Sequence, residues 1–161
     1  MNLDKRREIT KNKARADIIK ARLKLYREDL DYMESLKVHI GIYRDKLDLQ
    51  SGRSSSEAVQ GGGTSQEDRI NRILDIISED ERNLKLIELE NRALCFAIES
   101  LPDEDMKQII YHVWICHDMS MAELGKRLHL SKSSIWRKSD TALLDIYRKL
   151  YILTPKDIDP K

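Results

Sequence analysis

From position 126 to 138 the chain reads KRLHLSKSSIWRK. Lys126, Arg127, Lys132, Arg137 and Lys138 contribute long cationic side chains, Ser131, Ser133 and Ser134 contribute hydroxyls, and Trp136 adds an aromatic face. Ammonium, guanidinium and hydroxyl groups hydrogen-bond phosphate oxygens, and Arg or Lys also matches the O6 and N7 acceptors on the edge of guanine. A tryptophan here either touches a sugar or a thymine methyl, or packs against a neighbouring helix. Other chemistry is poorly supplied. There is no nucleophile constellation, phosphate-cradling loop or convincing carboxylate pair, so no enzyme is expected. His112, Cys116 and His117 lack a fourth ligand and the paired spacing of structural zinc sites. Positions 112 and 116 share a helix face while 117 is offset, so neither a metal nor any other cofactor is expected.

The flanking residues predict how the basic stretch is held. Ser120 followed by Glu123 is a capping-box start for a short helix. Leu124 and Leu128 face inward from that helix, and Gly125 lies on the same side, where another helix can cross closely. His129 falls where the chain must leave the helix with positive φ, a conformation His tolerates better than most residues. Leu130 tucks inward and Ser131 is a good N-cap. Ile135, Ala142, Leu143, Ile146 and Leu150 then form the buried face of a second helix, with the cationic residues opposite. Upstream, Pro102 suits a first helical turn, with acids after it as the helix dipole favours. Met106, Ile109, Ile110, Val113 and Trp114 supply an apolar face up to about Cys116, with Trp114 expected in the core. The pattern is a helix-turn-helix, in which the second helix enters the major groove by its N-terminal end. The candidate DNA-binding residues are therefore Lys126, Arg127, Ser131, Lys132, Ser133, Ser134, Trp136, Arg137 and Lys138, with double-stranded DNA as the partner.

Two longer amphipathic patterns precede this module. Over 14–49, Ile19, Leu23, Tyr26, Leu30, Met33, Leu36, Ile40, Tyr43 and Leu47 recur at steps of three or four. Gly41 is a weak point in that helix. Over 67–100, Ile70, Ile77, Leu84, Asn91 and Ile98 share one heptad position, and Ile73, Asp80, Ile87, Leu94 and Leu101 share the other. Between the two patterns, 51–66 reads SGRSSSEAVQGGGTSQ, the composition of a flexible linker. Its typical span of roughly 20–24 Å exceeds the ~8–10 Å between packed helices. The stripes can therefore pair within one chain as an antiparallel hairpin or between chains in a homo-oligomer. The expected fold is all-α, with a long helical hairpin or coiled coil and a C-terminal three-helix helix-turn-helix module. Its segments are a basic long helix (1–50), the linker (51–66), a coiled-coil helix (67–101) and the helix-turn-helix domain (102–153).

In the 161-residue chain, charged residues make up 35% and aromatic residues 6%. That balance suits long solvated helices better than one large core. The net charge of +1 conceals strong segregation. Positions 1–27 hold ten Lys/Arg against three Asp/Glu, 67–101 hold five against nine, and 121–151 hold seven against three. Such asymmetry indicates nucleic acid or contact between segments. The N-terminal basic run is either an arm that folds along phosphates or the charged start of the first helix. With so few aromatic residues, single-strand stacking platforms are not expected. Cys95 and Cys116 form no CxxC and sit in apolar surroundings, as small hydrophobes do. No signal peptide or membrane-length apolar run is visible, so a reducing cytoplasm is expected, without membrane association.

The stretch LPDEDMKQIIYHVWICHDMSMAELGKRLHLSKSSIWRKSDTALLDIYRKL resembles the helix-turn-helix of bacterial sigma-factor region four. The matching positions are Leu101-Pro102, Ser120, Ser131 and Ala142-Leu143. Gly125, His129 and Lys138 depart from that pattern, and Trp136 is unusual on the exposed side. The whole layout is similar to phage late-gene transcriptional activators of the RinA/ArpU type. The resemblance implies a regulator in the bacterial host cytoplasm, associated with the nucleoid, that activates late genes and contacts host RNA polymerase. Two rivals stay open. One is a small terminase-like subunit, which joins the same DNA-recognition motif to oligomerising helices for packaging. The other is an interaction module that binds protein and no DNA.

Overall fold

The computed structural model describes residues 3–52 and 65–152. Among them every regular element is helical: α1 (Leu3–Ser51), α2 (Gln66–Glu99), α3 (Glu104–Ile109), α4 (Met121–Arg127) and α5 (Lys132–Tyr151). A π-helical stretch, Ile110–Ile115, continues α3. This is the all-α plan expected from the sequence. α1 packs against α2 as a hairpin within the chain, and a three-helix module follows. The N-terminal basic run is the start of α1, the second of its two readings. Most of the expected linker, 53–64, lies outside the described residues, as does position 153 at the end of the expected C-terminal domain.

The chain divides into two compact units, Met1–Glu28 with Asn91–Lys161, and Asp29–Glu90. The second unit is the part of the hairpin next to the connection between α1 and α2. Its core is Ile40 of α1 against Ile73 and Ile77 of α2, with Tyr43, Leu47 and Leu84 packed around them. These are the residues that the three-and-four spacing selects. The acidic break in the heptad, Asp80, is hydrogen-bonded to Nδ1 of His39, and Arg44 donates to Glu81 at 2.6 Å. Gly41 sits on the exposed side of α1, with nothing within 4 Å of the place a Cβ would occupy. Gly41→Ala is expected to stabilise the chain by about 1 kcal/mol, because Ala restricts the unfolded chain and leaves the helix unstrained. A rise in the urea midpoint followed by circular dichroism checks this, and an unchanged or lower midpoint refutes it.

The first unit joins the N-terminal part of α1, the C-terminal part of α2 and the module. Ala16, Ile19 and Leu23 from α1 are buried, as are Leu94, Ala97, Ile98 and Leu101. Asn91, the polar residue at a heptad core position, is only 2% exposed. Its side-chain oxygen accepts from Nη2 of Arg22 at 2.9 Å, so the buried amide has a cross-hairpin partner. Tyr26 lies 3.2 Å from Sγ of Cys95. Burial first, and then that contact, pushes the tyrosine hydroxyl above its ordinary pKa.

Two details of the module depart from the sequence reading. α3 starts at Glu104, with Asp103 as its N-cap, so Pro102 precedes the helix rather than standing in its first turn. The reason is local: the Asp103 carboxylate accepts the Asp105 amide at 2.9 Å, which satisfies one of the unpaired donors of the first turn. After Ile109 the helix widens, and the Cys116 amide donates five residues back to Tyr111 O at 2.8 Å. His117 then leaves the helix at φ 53°. Its neighbour Asp118 closes the turn, donating through its amide to His112 O at 3.2 Å and holding His112 Nδ1 at 3.0 Å through its carboxylate.

Candidate nucleic-acid interface

The helix-turn-helix is built by two caps and one left-handed residue. Ser120 Oγ accepts the Glu123 amide at 3.2 Å, and the Glu123 carboxylate accepts the Ser120 amide at 2.8 Å. This reciprocal pair is the expected capping box. The bond from the Ser120 backbone N–H, and then its hydroxyl, hold the Glu123 carboxyl below the usual range. α4 ends where His129 takes φ 56°, as its position predicts. The His129 amide donates to Lys126 O at 3.3 Å and the Leu130 amide to Gly125 O at 2.8 Å. That pairing is a Schellman close, with histidine in the place glycine usually fills. Leu130 then folds onto the core formed by Ile109, Met121, Leu124 and Ile135. At Gly125 an added Cβ would stand 3.4 Å from Leu130 O and 3.6 Å from Ile135 Cδ1. α5 does come close there, but at a separation an alanine methyl accepts.

Ser131 caps α5, its hydroxyl accepting the Ser134 amide at 3.2 Å and contacting Ser134 Oγ at 2.9 Å. That hydroxyl is engaged in starting the helix, so Ser131 sets the position of its neighbours. Behind them Ile135, Ser139, Ala142, Leu143 and Ile146 are buried, and Leu150 is half-buried. In front, Lys132, Ser133, Trp136 and Arg137 are exposed and Ser134 is partly so, while Lys126 and Arg127 are exposed on α4. Trp136 is 44% exposed, with its ring on the outer side of α5. α5 has no acid in its first turn, whereas α1, α2, α3 and α4 each have one or two. Lys132 thus adds its charge to the positive end of the helix dipole and to the unpaired amides there. That arrangement opposes the helix by itself and attracts an anion.

Lys138 stands apart from the other candidates. Its ammonium is hydrogen-bonded to the Asp103 carboxylate and lies 3.3 Å from Asp105 Oδ2. It therefore ties α5 to the start of α3. The Lys138 hydrogen bond holds the Asp103 carboxyl below the ordinary carboxylate range, and the same bond raises Lys138. The aspartate's share of stability is present above the normal carboxylate pKa and fades as pH falls through the depressed value. The lysine's share is complete below the normal lysine value and fades only above the raised one. The pair therefore works fully from mildly acidic to mildly alkaline pH. Asp103→Asn keeps an N-cap but removes the ion pair, and is expected to cost about 0.5–1 kcal/mol for a pair that is partly exposed. The melting temperature should then lose part of its fall below about pH 4. A variant that melts in parallel with the parent across that range would contradict the assignment.

The sequence reading did not anticipate a second tie. Trp114 Nε1 donates to Ser139 Oγ at 2.9 Å, and Ser139 is fully buried. Lys20 of α1 places its ammonium 4.7 Å over the Trp114 ring. Ser139 falls four residues from both Ile135 and Leu143, so its place on the buried stripe was available from spacing. His112, Cys116 and His117 do not converge: His112 pairs with Asp118, and Cys116 lies 3.7 Å from Nη1 of Arg27. No group of three or more His, Cys, Asp or Glu with metal-binding geometry occurs among the described residues. No helix among them is long and apolar enough to cross a membrane. Comparison of the chain with family models, with curated proteins and with solved structures finds no match.

Proposed function

We propose that the protein is a sequence-specific regulator of transcription that binds double-stranded DNA through the N-terminal end of α5. One observation carries this reading. The first turn and a half of α5 holds Lys132, Ser133, Trp136 and Arg137 outward, without an acid, on a helix anchored from behind by Ile135 and Leu143. Such a tip fits a major groove, where Arg and Lys meet guanine edges and phosphates together. Lys126 and Arg127 on the preceding helix extend the cationic surface toward the flanking backbone. Lys138 and Ser131 position this tip, and Lys132, Ser133, Ser134, Trp136 and Arg137 touch DNA.

The resemblance to sigma-factor region four and to RinA/ArpU-type activators supports a role in late-gene activation at the host nucleoid, together with host RNA polymerase. Selection of bound fragments from random duplex DNA, followed by footprinting, tests the core of the reading. A recurrent motif protected over one or two adjacent major grooves is expected. Recovery of fragments without a shared motif, at low salt and with folded protein, would overturn it.

A further inference from the structure

We infer that the first turns of α1, residues 3–15, form a second contact with duplex DNA, lying as a helix along a major groove outside the segment that α5 reads. This goes beyond the α5 interface and does not depend on it. α1 is helical from Leu3, yet its first buried residue is Ala16. The preceding stretch, roughly 20 Å long, thus leaves the core as a nearly bare helix. It carries Lys5, Arg6, Arg7, Lys11, Lys13 and Arg15 against Asp4 and Glu8.

Two features separate this stretch from an ordinary solvated helix. Its six Lys/Arg against two Asp/Glu leave it at +4. Among the described residues no carboxylate forms an ion pair with Lys5, Arg6, Arg7, Lys11 or Lys13. At 100° per residue, Arg6 and Lys13 share a side without an acid, and Arg7 and Lys11 lie on the opposite one together with Asp4 and Glu8. A helix about 10–12 Å across fits a groove about 12 Å wide, with the Arg6–Lys13 side against one phosphate strand. A polyanion there supplies the partners that these cations lack.

The root of the arm is fixed. Arg15 lies 5.4 Å over the ring of Tyr147, near the C-terminal end of α5. Along α5 that is roughly 24 Å from Ser131. The arm and the α5 tip therefore serve different stretches of backbone.

The test uses the full chain with Lys5, Arg6, Arg7, Lys11 and Lys13 all replaced by Gln, a good helix former that removes only charge. Circular dichroism checks that helix content is retained. Anisotropy with a long mixed-sequence duplex is followed from about 50 to 200 mM salt. The slope of log K against log salt is expected to become shallower by about two or more, since each lost phosphate contact contributes about 0.9. A companion variant with Lys5, Lys11 and Lys13 replaced by Arg should keep the parent slope. An unchanged slope in the Gln variant would overturn the arm contact, whatever the α5 selection returns. A shallower slope in a protein that selects no motif would uphold the arm and sink the α5 reading. A Gln variant that loses helix content is replaced by the single changes Arg6→Gln and Lys13→Gln, each expected to make the slope shallower by about 0.9.

Discussion

Leu124→Ala is expected to destabilise the protein by about 2–5 kcal/mol, the usual range when a buried leucine is cut to alanine without collapse of the space. Leu124 is 0% exposed and meets Ile109, Met121 and Ile135 in the core of the module. α4 spans only Met121–Arg127, too short to persist as a helix by itself. Its capping box and Schellman close define its ends, but Leu124 and Met121 are what attach it. Ile135, on the other side of the same contact, sits within the first turns of α5. A cavity at Leu124 therefore loosens the base on which the cationic tip stands. Urea unfolding followed by circular dichroism measures the loss, and DNA affinity should fall with it. A cost below about 1 kcal/mol would mean that α4 is held mainly by its caps.

Arg137→Ala is expected to weaken binding to the selected DNA site by about 1–3 kcal/mol, roughly 5- to 150-fold, and to relax preference at one base pair. Stability should stay within about 0.5 kcal/mol, because the side chain is exposed and the Thr141 hydroxyl bonds its backbone carbonyl, which alanine retains. Anisotropy with the selected site and with single-base variants separates two outcomes. Loss concentrated at one base pair means edge readout. Equal loss on every duplex would assign Arg137 to phosphate and remove it from the specificity determinants.

Much of this architecture is legible in the sequence because it rests on local rules. Ser120 with Glu123, His129 at positive φ and Ser131 as a cap each follow from neighbours within five positions. The stripes of α1 and α2 follow from their period, and Ile40, Ile73 and Ile77 meet as that period requires. What was not legible depends on partners far along the chain or on a change of helical pitch. Nothing near Lys138 shows that Asp103, thirty-five positions earlier, would claim its charge. Trp114 reads as core from its apolar surroundings, and only the fold reveals Ser139 beneath its indole and Lys20 above it. The π-helical stretch left no mark because Met106 to Trp114 satisfies an ordinary helical period as well. The hairpin partner of α2 was ambiguous because an apolar stripe does not say which chain will cover it.

The acid-free opening of α5 has a consequence for how this sequence can change. Selection for heat tolerance alone would favour an aspartate or glutamate at Lys132 or Ser133, where either would complement the helix terminus. The same replacement would turn an anion-seeking tip into one that repels a polyanion. If the tip binds DNA as proposed, robustness and recognition pull this position in opposite directions, and variants recovered from a thermal screen should be enriched for proteins that no longer bind DNA.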